Sequence, residues 1–158
     1  MRKIEWKIAT LVEDCMSGKH TKSFDRVLSR DRWGHVRDQV TYDAGSKTAK
    51  VFLFGSCIFT VAQATRLFDG AVSGLAQIDD CDCRTATTKS RLNAMLKAFH
   101  PDNTSLFQRD YTWHISRISV IDGEVTSELA TFKGSFTFTT VKFNAKSYGH
   151  PDDMRLAI

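Results

Sequence analysis

The sequence predicts an α+β fold in which an antiparallel sheet with a central hairpin packs against two or three helices. Three observations carry that expectation. Apolar residues recur at three- and four-residue intervals near the start and again after residue 91, a Phe- and Val-rich run is broken only by Gly55-Ser56, and aromatic residues alternate with polar ones farther along. At the start, Ile4, Ile8, Leu11, Val12, Cys15 and Met16 share one helical face, so residues 3–16 are expected to form an amphipathic helix stopped near Ser17-Gly18. Trp6 falls roughly opposite that stripe, either on a second packing surface or open to a partner. Residues 19–37 carry six basic side chains, with Phe24, Val27, Leu28 and Trp33 interleaved, and read as a second helix or an irregular segment.

Residues 51–62 are strand-like, and Gly55-Ser56 suits a two-residue hairpin turn. That turn puts Phe52, Phe54, Cys57, Phe59 and Val61 on one face and Val51, Leu53 and Ile58 on the other; both faces are apolar, which makes the hairpin central. Residues 75–78 form a further short strand and residues 79–83 a turn. Thr87 or Thr88 is expected to cap a helix whose Leu92, Met95, Leu96 and Phe99 enter the core at i, i+3, i+4 and i+7. Lys89, Arg91 and Lys97 then lie on a positive outward arc, because no acidic residue occurs between Arg84 and Phe99, and Pro101 ends the helix. Tyr111, Trp113 and Ile115 alternate with Thr112 and His114, and Phe136 and Phe138 with Thr137 and Thr139; each series reads as a strand, with Asp122-Gly123 a turn between them. Residues 1–148 are expected to form one globular domain and residues 149–158 a flexible tail.

The chain has 158 residues, 42% of them hydrophobic, which supplies a core of ordinary size. No apolar stretch suits a membrane span or a signal peptide, so a cytoplasmic protein without a membrane partner is expected. Four cysteines, Cys15, Cys57, Cys81 and Cys83, are then expected as free thiols. The formal net charge of +4 is uneven: eleven Lys and Arg face seven Asp and Glu in residues 1–50, against six and seven in residues 101–158. That balance permits attraction to nucleic acid or to an acidic protein but falls short of dense phosphate-binding clustering.

No motif announces catalysis. A Gly-rich phosphate loop, paired metal-binding histidines and a nucleophile elbow are all missing. Cys81-x-Cys83 is spaced too tightly for tetrahedral zinc, Asp79, Asp80 and Asp82 lack the rest of a calcium loop, and His114 reads as a cross-strand surface residue. No role attaches to His20, His35 or His150. A protein without cofactor or metal, and not an enzyme, is the expectation.

Residues 87–94, Thr-Thr-Lys-Ser-Arg-Leu-Asn-Ala, resemble a recurring element of small bacteriophage proteins of uncertain function. The likeness extends to Val51, Leu53 and Gly55 upstream and to Tyr111, Thr112, Trp113, Phe132 and Gly134 downstream, roughly residues 35–140. It implies a phage origin and no particular reaction. Residues 92–103 also resemble the end of the second helix and the His-Pro-Asp loop of J-domain co-chaperones. That resemblance implies that His100, Pro101 and Asp102, with Lys89, Arg91 and Lys97, contact a chaperone ATPase, and it requires a further helix after the loop.

The expected function is a phage accessory protein that binds a host macromolecule and inhibits or redirects it, with Trp6, Trp33 and Arg91 as anchors. Core packing is the alternative for both tryptophans. The competing function is nucleic-acid binding through Arg84, Lys89, Arg91 and Lys97, joined by Arg26, Arg30 and Arg32, with Tyr111 or Phe136 stacking on bases. A solvated basic helix face is its bland counterpart. A small enzyme or a structural virion subunit completes the set.

Overall fold

The computed structural model describes residues 1–66 and 71–144. The expected tail, residues 149–158, and His150 within it lie outside the described residues. The first helix, α1 (Lys3–Met16), runs as its spacing predicts, with Ile8, Val12, Cys15 and Met16 fully buried and Gly18, at φ 85°, just past its end. Five strands follow: β1 (Phe24–Arg30), β2 (Val36–Asp43), β3 (Thr48–Leu53), β4 (Ser56–Arg66) and β5 (Ala71–Asp79). After α2 (Ala86–Phe99) come β6 (Asn103–Arg109), β7 (Thr112–Ile121), β8 (Glu124–Thr131), β9 (Ser135–Thr139) and the short β10 (Phe143–Asn144).

The α+β expectation of one sheet around a central hairpin is therefore corrected. Among the described residues the protein is mostly β, with two helices and two antiparallel sheets. The larger sheet runs β1-β2-β3-β4-β5, with β9 and β10 pairing successive parts of β5; the smaller runs β6-β7-β8. Residues 19–37, read as helical or irregular, build β1 and the turn into β2. The reason is visible in β1: Asp25, Arg26 and Val27 are exposed, so the strand shows no clean inward alternation. β8 is harder still to read, since all eight of its residues are exposed.

The β3-β4 turn also sits one residue earlier than expected. Phe54 and Gly55, at φ 47° and 81°, occupy it, as a type I′ turn requires. Val51 pairs Phe59, and a bulge between Val51 and Phe52 lets Ile58 and Phe59 both enter the core. Phe59 thus shares the face of Val51, while Phe54 stands exposed. Phe59 stacks on Phe99, which meets Phe143, so α2 seals the sheet's inner face. Asn93 ties α2 to the small sheet: its amide donates to the Leu106 carbonyl (2.9 Å) and accepts the Leu106 N–H (2.6 Å), covering the β6 edge as a neighbouring strand would.

Candidate partner-binding site

α2 is a central helix rather than a displayed one. Its cap is Thr85, whose hydroxyl accepts the Thr88 N–H at 3.1 Å; Thr88, one of the two expected caps, is buried, and Thr87 lies within the first turn. Arg91, expected on the outward arc, is 3% exposed. Its Nε and Nη2 donate to the two oxygens of Asp38 at 2.8 and 3.2 Å, and its Nη1 donates to Glu5 at 3.0 Å. Glu5 also accepts the Arg2 N–H and the Ser90 hydroxyl, and Asp38 accepts the Ser29 hydroxyl. Burial pushes both carboxyls up, but these donors and the Arg91 charge outweigh it and hold each below its ordinary value. The group joins α1, α2, β1 and β2, and it leaves Arg91 engaged inside the protein. Of the expected cationic arc, Lys97 is exposed and Lys89 half-buried.

Other expected contact residues are engaged within the chain, although Arg84 keeps an exposed side chain. Arg84 donates to Asp80 (2.8 Å) and to the Phe132 carbonyl (3.0 Å), and its guanidinium lies over Trp113. His100 is buried against Phe136 and Phe138, and its Nδ1 accepts the Asp102 N–H at 3.0 Å. Burial holds the imidazole below its usual value, with Asp102 opposing in part. Asp102 itself is half-buried, and the chain then enters β6, so the helix that a J-domain needs after His-Pro-Asp is replaced by a strand. Tyr111 sits in the β6-β7 turn at φ 64°, 96% exposed, and not on a sheet face. Phe136 is half-buried beside His100.

What gathers at the surface lies at the other end of the sheet. A groove of about 600 Å³ separates α1 from β1. Lys3, Lys7, Thr10 and Asp14, at i, i+4, i+7 and i+11, line one wall with the half-buried Trp6 and with Leu11; Arg26 and Leu28 line the other, and Lys19 and His20 close one end. Asp14 is its single carboxylate, and Lys19 lies 3.9 Å from it. Burial pushes the Asp14 carboxyl up, against the pull of Lys19 and His20. Lys3, Lys7 and Arg26 make no salt bridge among the described residues. Arg26 lies over the Phe24 ring, 4.8 Å from its centre. An apolar floor ringed by cations, most of them without a carboxylate partner, attracts an anion that also carries an apolar group.

Beyond the far end of β1, residues 31–35 hold Trp33 out from the sheet. Trp33 is 69% exposed, so core packing is ruled out for it. The turn itself is tied down: Asp31 Oδ1 accepts the N–H groups of Trp33 and His35, each at 2.9 Å, and Arg30 donates to the Gly34 carbonyl. Arg32 lies over the Trp33 ring, 4.2 Å from its centre. Sequence reasoning found Trp6, Trp33, Arg26 and Arg30 but missed that residues 24–30 form a strand, with Trp6 on the helix beside it and Trp33 in the turn that follows it. Alternation in residues 24–30 was the signal, and a bulge between Val27 and Ser29 scrambles it.

All four cysteines are free thiols. Burial and the neighbouring Asp14 push Cys15 to about 12, and burial with Asp79 pushes Cys81 to about 11, so neither is a thiolate at neutral pH. Among the described residues no group of three or more His, Cys, Asp or Glu is placed to hold a metal ion, and no helix is long and apolar enough to cross a membrane.

No curated protein and no solved structure matches the chain. The family model of the Kyanoviridae Gp96 protein matches residues 16–139, from the last residue of α1 through β9, so the β1 wall of the groove and the Trp33 turn fall within the match and the α1 wall before it. On that span, the chain belongs to the Kyanoviridae Gp96 family, a phage family.

Proposed function

We propose that the protein is a non-enzymatic phage accessory protein that binds a host protein in the host cytoplasm and inhibits or redirects it. The observation that carries this reading is Trp33, a large aromatic side chain exposed on a turn that hydrogen bonds fix in place. Tryptophan and arginine dominate the energetics of protein interfaces, and a pre-ordered anchor loses little conformational freedom on binding. Arg32 stacked on Trp33 and the Trp6 groove at the other end of β1 extend the same surface. Lys97 and Lys89 lie on α2 outside the lining of that groove, Lys97 beside Met1 and Arg2, and take a lesser part.

The test is capture from infected cells with a tagged protein, comparing the wild type with Trp33→Ala and Trp6→Ala. A host protein retained by the wild type, lost by Trp33→Ala at unchanged melting temperature and insensitive to nuclease is the expected result. Capture unaffected by either substitution contradicts the reading. Capture that nuclease abolishes and that falls steeply with salt transfers the function to nucleic-acid binding.

A further inference from the structure

The groove beside β1 has a second property that narrows its occupant. β1 ends the larger sheet and pairs with β2 alone among the described residues, so its outer row of backbone N–H and C=O groups has no strand partner there, on the same strand whose Arg26 and Leu28 line the groove. The α1 wall from Lys3 to Asp14 is about 17 Å long at the helical rise, which matches about five residues of extended chain. An extended segment laid along that edge turns every second side chain toward α1. There it meets Trp6 and Leu28, which suit an apolar side chain, and Lys3, Lys7 and Arg26, which suit carboxylates. A basic segment has only Asp14 to meet, and that carboxylate already has Lys19 beside it.

We propose that the groove takes an extended acidic segment of a partner protein, added as a further strand on the free edge of β1, with carboxylates and one apolar side chain alternating toward α1. This rests on the reading above that the β1 surface is where the partner lands. It goes further in naming the recognition chemistry: main-chain hydrogen bonds supply affinity, and the alternating inward positions supply specificity. The exposed β1 side chains do not oppose such pairing, since the strand's inward-facing cation is the one that the segment neutralises.

The probe is a displayed library of random peptides about nine residues long, long enough to span β1 at the rise of an extended chain. It is selected against the wild-type protein and against a Lys7→Glu, Arg26→Glu variant, with a Lys7→Gln, Arg26→Gln variant as a milder control. Circular dichroism and melting temperature establish that each variant is folded. The expected result is enrichment, on the wild type only, of peptides with Asp or Glu at alternating positions flanking one Leu, Ile or Phe. Binding of such a peptide should weaken at least tenfold in either variant, and also when its central residue is replaced by Pro, which removes a ladder N–H. Enrichment without acidic bias, enrichment equal on all three proteins, or no enrichment overturns the proposal. So does groove-dependent binding of an oligothymidylate in place of peptides. Host capture that still depends on Trp33 while the library yields nothing leaves the partner-binding reading standing and removes only the acidic strand; loss of both removes both.

Discussion

Arg91 shows how a residue's type can mislead about its place. On a helix with no acidic neighbour in sequence, it reads as a displayed cation. Its partners Glu5 and Asp38 lie 86 and 53 positions away, and only the fold brings them together. A buried ion pair is weak grounds for stability, but breaking one is costly, because the remaining charges stay buried and unpaired. Arg91→Met should therefore destabilise the protein by about 3–5 kcal/mol at neutral pH, read by denaturant unfolding. Glu5 and Asp38 have lowered pKa values when folded, so their contribution is present above the unfolded carboxyl range and is lost as pH falls through the folded values. The wild type should accordingly lose stability in acid below about pH 4, and the deficit of Arg91→Met relative to it should shrink there. A deficit that is constant from pH 7 to pH 3 contradicts this reading of the network. Trp33 is the opposite case: its ring touches little of the core, so Trp33→Ala should change stability by no more than about 0.5 kcal/mol while abolishing capture.

At the scale of elements, the helices were legible and the exposed strands were not. α1 and the buried stripe of α2 announce themselves because the residues that pack recur at helical spacing. β7 and β9 announce themselves through Trp113 and Phe138, which alternate into the core. β1 and β8 face water on residues that a half-buried strand would bury, and a bulge breaks β1 further. The β3-β4 turn was found but misplaced by one residue, since Gly55-Ser56 looks like the turn pair while Phe54 takes the first positive-φ position. Phe54→Asn should therefore raise stability by about 0.5–1 kcal/mol, because Asn accepts that conformation more readily; a loss of melting temperature contradicts the turn assignment. In the 31–35 turn, Asp31→Ala removes the acceptor for Trp33 and His35 without touching Trp33 itself. Partner affinity should fall severalfold in that variant through lost pre-ordering, as titration calorimetry would report.

Across the whole molecule, the two sheets differ in how firmly they are held. The inner face of the large sheet meets both helices, whereas β8 is, among the described residues, an uncovered edge carrying exposed Val125 and Leu129. Hydrogen exchange should be fastest in β8 and slowest in β3 and β4, with equal protection of the two sheets counting against this picture. The basic bias of residues 1–50 was legible from composition; what composition could not show is that Lys3, Lys7, Lys19 and Arg26 come to line one groove, since that depends on how α1 packs beside β1. On the proposed reading, the cations that meet a partner are those of the α1-β1 groove and not Lys89 and Lys97 of α2. The most direct test compares binding of the captured host partner to two charge reversals, Lys7→Glu with Arg26→Glu in the groove and Lys89→Glu with Lys97→Glu on α2. Loss of binding at least tenfold in the first pair and near-wild-type binding in the second is the expected result; the reverse pattern would contradict the account.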